Sequence, residues 1–304
     1  KAGLGYGNGN PASQAAGLPA LALVPSRDGV APPNGWIVPP KDSSDGTLKA
    51  ADVMRIISEG VEQAAKTRAA IRLPLNTATA MVLAVSDNDG NVIGLYRMPD
   101  ATFFSVDVAV AKSRNVTYYS RPTGVEPFDR IDPSDGDLSA LPAGTATSNR
   151  TFRFLALPFY PTGIDGSDPG PFSILNDGGT DLKTGLQIGP PQPASDFISV
   201  AGHDAFYPGT NFRDPRVSTG NANGIVFFPG SRPLYLDADG TGIDRLVAGF
   251  GVSGDGVEQD DVVTFSGAAG YDPFEAIRAD QFIIRDVRLP LNKFPRNPEA
   301  RATK

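Results

Sequence analysis

MVLAVSDNDGNVIGLYRM, residues 81–98, decides the fold. Two runs rich in Val, Leu, Ile and Tyr flank Asp87-Asn88-Asp89-Gly90-Asn91, and turn residues set between β-forming runs signal a hairpin. On its N-terminal side, Thr47 is an N-cap candidate. Val53, Ile56, Ile57, Gly60, Val61 and Ala64 then recur at helical spacing, which predicts an amphipathic helix over about 48–67. Asp52 lies near its start, where the helix dipole favours a carboxylate. On the C-terminal side, SVDVAVAKSRNVTYYS (105–120) reads as a second helix that buries Val106, Ala109, Val110, Ser113 and Val116 and stops at Arg121-Pro122. From 224, GIVFFPGSRPLYL and DRLVAGFGVSG read as two or three strands. Glu258-Gln-Asp-Asp261 opens a final helix to about 269, with an acidic first turn. Hairpin connections imply an antiparallel sheet with helices packed on it, so the class is α+β.

The remaining segments read as irregular. Residues 1–46 form a Pro/Gly-rich arm in which Trp36 and Ile37, set among prolines, anchor the chain to a surface; a linker from a larger upstream protein is the alternative. Residues 122–222 are rich in Pro, Gly and Asp, with aromatics embedded in RTFRFLALPFYP and GPFSIL. Their length suggests an excursion with short strands that packs on a body or a partner. The tail, 271–304, is extended and basic. Its Leu289-Pro-Leu and Phe294-Pro-Arg-Asn-Pro form an aromatic-anchored strap that suits a neighbouring subunit. No internal repeat is evident.

Composition narrows the function. The 304 residues are 40% hydrophobic, enough for a sizeable core, and Gly and Pro make up about a fifth of the chain, against a long helical bundle. Net charge is −7, so clustered phosphate contacts to nucleic acid are not expected. No apolar run has the roughly 20 residues of a membrane helix. With no cysteine, disulfides, thiolate metal sites and thiol catalysis are excluded. With one histidine, His203, so is a multi-histidine metal centre. An acidic, cysteine-free, Gly/Pro-rich chain suits an exported protein, periplasmic or extracellular.

The helix TLKAADVMRII, the hairpin AVSDNDGNVIGLYRM, the helix SVDVAVAKSRNVTYYSRP and the segment GFGVSGDGVEQDD together resemble the GlcG/HbpS-like haem-binding family. The landmarks fall on Val85, Asp87 and Gly90, on Arg97-Met98, on Lys112, and on Gly251-Val252-Ser253-Gly254 with Glu258-Gln259-Asp260. They cover about 47–121 and 224–270. RTFRFLALPFYPTGIDGSDPGPF and IRDVRLPLNKFPRNPE resemble a long exported subgroup of that family, in which this domain lies at or near the end of a larger polypeptide. The resemblance implies a profilin-like antiparallel sheet of about five strands flanked by helices, dimers or higher oligomers, and haem binding by some members.

A haem site needs an apolar slot, cations for the propionates and usually an axial His, Met, Tyr or Cys. The candidates are His203, Met98, Tyr118 and Tyr119 as ligands or stacking partners, and Arg97 and Lys112 as cations. Each also has a structural reading: a loop histidine beside Asp204, a core methionine, packed tyrosines, or a salt bridge from Lys112 to Asp87 or Asp107. The turn at Gly251–Gly254 can hold an anion on its amides, or merely bend with Ser253 as a cap. Asp237, Asp239 and Thr241 match part of a calcium loop, but the Glu that an EF-hand loop needs is Ala248 here; a polar hairpin tip is the alternative. Two functions from different classes follow. One is tetrapyrrole binding between the sheet and the helix around Lys112. The other is an assembly subunit, without catalysis, whose arm, excursion and tail make subunit contacts. No residue set points to catalysis: there is no clear acid–base pair.

Overall fold

A computed structural model describes residues 34–123, 141–157, 159–161, 167, 170, 226–237, 240–242 and 244–300. The sheet is five-stranded and antiparallel, in the order β1-β3-β2-β5-β4. Its strands are β1 (Gly35–Val38), β2 (Val82–Asp87), β3 (Val92–Arg97), β4 (Ser231–Leu236) and β5 (Arg245–Ser253). The α+β class and the five-stranded sheet match the sequence reading.

The hairpin forms because Asp87 organises its own turn. Its carboxylate accepts amide N–H groups of Asp89 and Asn91 at 3.0 and 2.8 Å, the side chain of Asn91 and the amide of Ser44. Period-two alternation along β2 then divides the sheet into two faces. Leu83 and Val85 point toward α1 (Ala50–Lys66), with Val53, Ile56, Ile57 and Phe250. Val82 and Ala84 point to the opposite face with Leu95 and Ala109 of α2 (Ser105–Tyr119). A fourth helix in chain order, at Val257–Gly267, packs beside α1 through Val263.

α1 buries Val53, Ile56, Ile57, Gly60 and Ala64 of the expected stripe. Its cap differs. The N-cap is Lys49, not Thr47, because Asp42 and Asp52 take the first amides: Ala50 N–H donates to Asp42 at 2.8 Å and Lys49 N–H to Asp52 at 3.1 Å. Thr47 instead donates its hydroxyl to Asp45 at 2.7 Å. α2 is buried well beyond the predicted stripe, with Lys112, Ser113, Arg114, Asn115 and Thr117 all inside. Val106 and Val110 are half-buried. Gly249 and Gly251 allow that depth: a Cβ on Gly251 lies 2.2 Å from the Ala109 carbonyl oxygen.

Three segments read as irregular carry structure. Trp36 and Ile37 do more than anchor an arm: they lie in β1, which pairs with β3, and Trp36 is fully buried edge-on to Tyr96 at 5.2 Å. RTFRFLAL is not strand but the helix α3 (Asn149–Leu155), capped by Ser148, with Phe152 and Leu155 in a second core. The tail forms two 3-10 turns and the two-residue strands β6 (Ile283–Ile284) and β7 (Val287–Arg288). Its strap lies on its own chain: Leu289 and Leu291 are buried, Pro290 C=O accepts from Thr151 Oγ1 and Leu291 C=O from Ser148 Oγ. These contacts of Pro290 and Leu291 are intramolecular. Most of the excursion lies outside the described residues. The final helix, Val257–Gly267, is α4 below.

Candidate functional site

Two places concentrate chemistry. The first is interior, where the end of β5 turns into α4. Lys112 is fully buried, and its ammonium donates to Asp260 Oδ2 at 2.9 Å and to the Val252 carbonyl at 2.7 Å. Gly230, at φ +113°, closes over this pair: a Cβ there would lie 2.4 Å from Asp260 Cβ and 3.0 Å from Lys112 Nζ. Next along α4, Asp261 accepts from Arg150 Nε at 2.5 Å and from the Lys293 amide at 2.9 Å. Burial pushes the carboxyl of Asp260 up to about 7 against the pull of Lys112, and that of Asp261 up to about 6 against Arg150. Oδ1 of each carboxylate has no hydrogen-bond partner among the described residues. The two pairs fasten α2, α3, α4 and the tail to the sheet. Lys112 is therefore held in an interior ion pair, and its partner is Asp260 rather than Asp87 or Asp107.

The second place is the end of the sheet where β3 and β5 finish. Arg97, the last residue of β3, is buried beneath this end. Its guanidinium donates to Asn34 and to the Ala101 carbonyl and lies 4.7 Å from the centre of the Phe103 ring. Burial lowers its pKa. Met98 is half-buried, and its sulfur accepts the Met81 amide at 3.4 Å. Ser253 ends β5 and bonds the hydroxyl of Ser105 at the start of α2, at 3.2 Å. Arg72 staples the α1–β2 loop to this end. It pairs with Asp100 at 2.6 Å and Asp255 at 3.2 Å and donates to the carbonyls of Asp100 and Ala80. The amide of Ala70 adds a bond to Asp255 at 2.6 Å.

Two stretches tied to these polar anchors, the loop of Arg72 and the segment after Asp100, expose large apolar side chains. Ile71 is 66% exposed, Leu73 83% and Leu75 81%, and Phe103 and Phe104 are each about half exposed. Soluble proteins seldom leave large apolar side chains clustered in water without a partner.

Three sequence candidates, Arg97, Met98 and Ser253, thus come together at one end. The others do not. Tyr118 and Tyr119 close α2 at its far end, roughly 20 Å away at 1.5 Å per residue. There Tyr118 is buried and Tyr119 packs at 4.9 Å on Phe152. The first two residues of the Gly251–Gly254 turn are engaged in the fold: Gly251 pairs across to Ala84 and Ser231, and Val252 N–H donates to Gly230. Ser253 does not cap α4, whose N-cap is Gly256. Asp237 accepts the amides of Thr241 and Gly242 at 2.9 Å, which is hairpin-tip chemistry. His203 and Asp239 lie outside the described residues, among which no three ligand-type side chains cluster as a metal site.

Sequence reasoning missed Asp260, Asp261 and Arg150 as an interior network, and missed the exposed loop. The pentapeptide of the loop gives no signal by itself, because Arg-Leu-Pro-Leu-Asn occurs at both 72–76 and 288–292.

No family model and no curated protein matches the chain. Two solved structures are similar. One is PduOC in complex with heme, 15% identical, with a TM-score of 0.34 over 73% of this chain and 96% of that one. The other is Klebsiella pneumoniae protein ORFY, of the family DUF336, 14% identical, with a TM-score of 0.32 over 72% of this chain and 86% of that one.

Proposed function

We propose that the chain is an exported binding module for a flat, apolar, anionic ligand of the haem class, held at the open end rather than beside Lys112. The observation that carries this is that Ile71, Leu73 and Leu75, on the loop that Arg72 ties to Asp100, and Phe103 and Phe104, a few residues past Asp100, are all exposed. A tetrapyrrole buries large apolar faces and presents carboxylates at one edge, and it takes a sulfur, nitrogen or oxygen ligand on iron. The residues present fit that description. The leucines and phenylalanines supply apolar contact, Met98 is the thioether at this end, and a ligand carboxylate would reach the Arg72 guanidinium by displacing Asp100, whose side chain is 88% exposed. A bound haem would supply the redox and ligand chemistry; the chain's own contribution is to bind it and exclude water.

The test is a haemin titration followed by Soret absorbance, on the parent protein and on a Leu73→Ser/Leu75→Ser variant. Both leucines are largely in water, so the variant keeps its fold. A saturable shift at micromolar haemin that weakens at least tenfold in the variant supports the reading. A flat or non-saturating response overturns it.

A further inference from the structure

The tail runs from the closed core to the apolar loop, and its two halves are held differently. Leu289 and Leu291 are buried. From Asn292 to Ala300 no residue is buried, and Lys293, Phe294, Arg296, Asn297 and Glu299 are exposed. Asn297, at φ +52°, turns the chain. Beyond it the tail pairs with the stretch that leaves α1. Thr67 faces Glu299 in an antiparallel bridge, Arg68 N–H donates to the Pro298 carbonyl at 2.6 Å, and Ala300 N–H donates to the Lys66 carbonyl at 2.6 Å. Arg68 Nε adds a bond to the Asn297 carbonyl at 3.4 Å. The same stretch also pairs with the returning arm of the loop: Ala69 N–H donates to the Thr77 carbonyl at 2.8 Å and Thr79 N–H to the Thr67 carbonyl at 2.9 Å. Tail, entry and return thus lie side by side at the base of the loop that exposes Ile71, Leu73 and Leu75. A length of chain held by main-chain hydrogen bonds, with no buried side chain, opens at low cost, whereas the half with buried leucines opens only with the core.

We propose that residues 297–300 are a releasable latch on the apolar loop. Latched, the base of the loop is three lengths of chain. Released, it is a bare hairpin tied to the body through Arg72 and the Ala70 amide, and the loop gains mobility while Leu289 and Leu291 stay buried. The order of the loop then depends on where the tail end lies, and a partner that captures that end in extended form acts on the loop without touching it. The coupling is carried by contiguous hydrogen bonds, from Pro298 and Ala300 through Lys66–Arg68 to Thr79. This does not rest on the haem reading.

The test is amide hydrogen exchange, read at single residues in the full chain. Ala300→Pro removes the N–H that donates to Lys66. The residue before it, Glu299, already lies in an extended bridge, which suits a following proline. Ala300→Ser keeps the N–H and serves as the control. The expected result is exchange about tenfold faster at Arg68, Ala69 and Thr79 in Ala300→Pro, with parent rates in Ala300→Ser. The Val252 amide, bonded to Gly230 in the body of the fold, keeps its parent rate in both. Parent rates at Ala69 and Thr79 in the proline variant overturn the proposal. Equal acceleration at Val252 also overturns it, because the tail end then holds the whole fold rather than the loop. Equal acceleration in Ala300→Ser overturns it as well, because the lost hydrogen bond is then not the cause. Haemin plays no part in the measurement, so a failed titration removes the ligand reading alone.

Discussion

The same five residues meet opposite fates in this molecule. At 288–292, Arg-Leu-Pro-Leu-Asn is inside: Leu289 and Leu291 are 1% and 3% exposed, and the carbonyls of Pro290 and Leu291 accept hydroxyl protons from Thr151 and Ser148. At 72–76, Leu73 and Leu75 are more than 80% exposed, and the Pro74 carbonyl is spent locally on Thr77. Sequence alone does not bury a leucine. The strap has α3 waiting for it, with a capping serine and an aromatic floor of Phe152 and Tyr160. The loop has only Arg72, Asp100 and Asp255, which fix its backbone and leave its side chains free. The buried ion pairs and the strap are closed, whereas the loop tied to Asp255, next to them past the end of β5, is open and apolar.

The largest expected effect is on the closed side. Lys112→Met leaves Asp260 buried without its cation, and loss of one partner of a buried pair costs about 3–5 kcal/mol. Chemical denaturation measures it. Adding Asp260→Leu to the variant recovers part of the loss, because neither charge then stays unpaired; no recovery in the double variant refutes the pairing as the source. Next comes the comparison of the pentapeptides. Leu291→Ala costs about 2–5 kcal/mol as a large-to-small core change, whereas Leu75→Ala stays within about 0.5 kcal/mol as a surface change. Equal losses in the two variants break the comparison.

Local signals in the sequence are strong where the chain organises itself. The Asp87 turn, the stripe from Val53 to Ala64 and the start of α2 at Ser105 all depend on neighbours a few residues away, and periodicity reports these. The strand at Gly35–Val38 is hidden because its partner, β3, is some 60 residues distant and its flanking prolines imitate a linker. α3 is hidden because seven residues show less than two full turns of pattern. The site divides in the same way. Arg97, Met98 and Ser253 are legible as motif residues, but for Lys112 the sequence leaves a ligand contact and a salt bridge both open, because its partner, Asp260, is 148 positions away. Nothing in a single sequence marks which lysine is buried with its counter-ion.

A smaller effect separates the closed side from the exposed one by pH. Asp260 and Asp261 are raised, to about 7 and about 6, by burial. The folded chain therefore holds protons that the unfolded chain has released between the ordinary carboxyl value near 4 and these raised values. Their contribution to stability is fully present below about pH 4 and is lost as pH rises through 6 and 7. Asp42 behaves oppositely: the Ala50 amide lowers its pKa, so its contribution is lost only as pH falls through the acid region below 3.8. The windows do not overlap. Melting curves from pH 4.5 to 8 should show stability declining with pH in the parent and a flatter profile in Lys112→Met/Asp260→Leu. A rising profile in the parent contradicts the raised carboxyls.

The smallest expected change in stability belongs to the open end, where it is also the most informative. Leu73→Ser/Leu75→Ser removes two side chains that already stand in water, so the midpoint of denaturation stays within about 0.5 kcal/mol of the parent. Self-association or dye binding driven by that surface should fall, because less apolar area is offered. The same pair of changes at Leu289 and Leu291 puts hydroxyls into the core beside Phe152 and lowers stability by several kcal/mol. If the loop variant instead unfolds the protein, the two leucines are packed rather than exposed in solution, and the contrast with Leu289 and Leu291 fails.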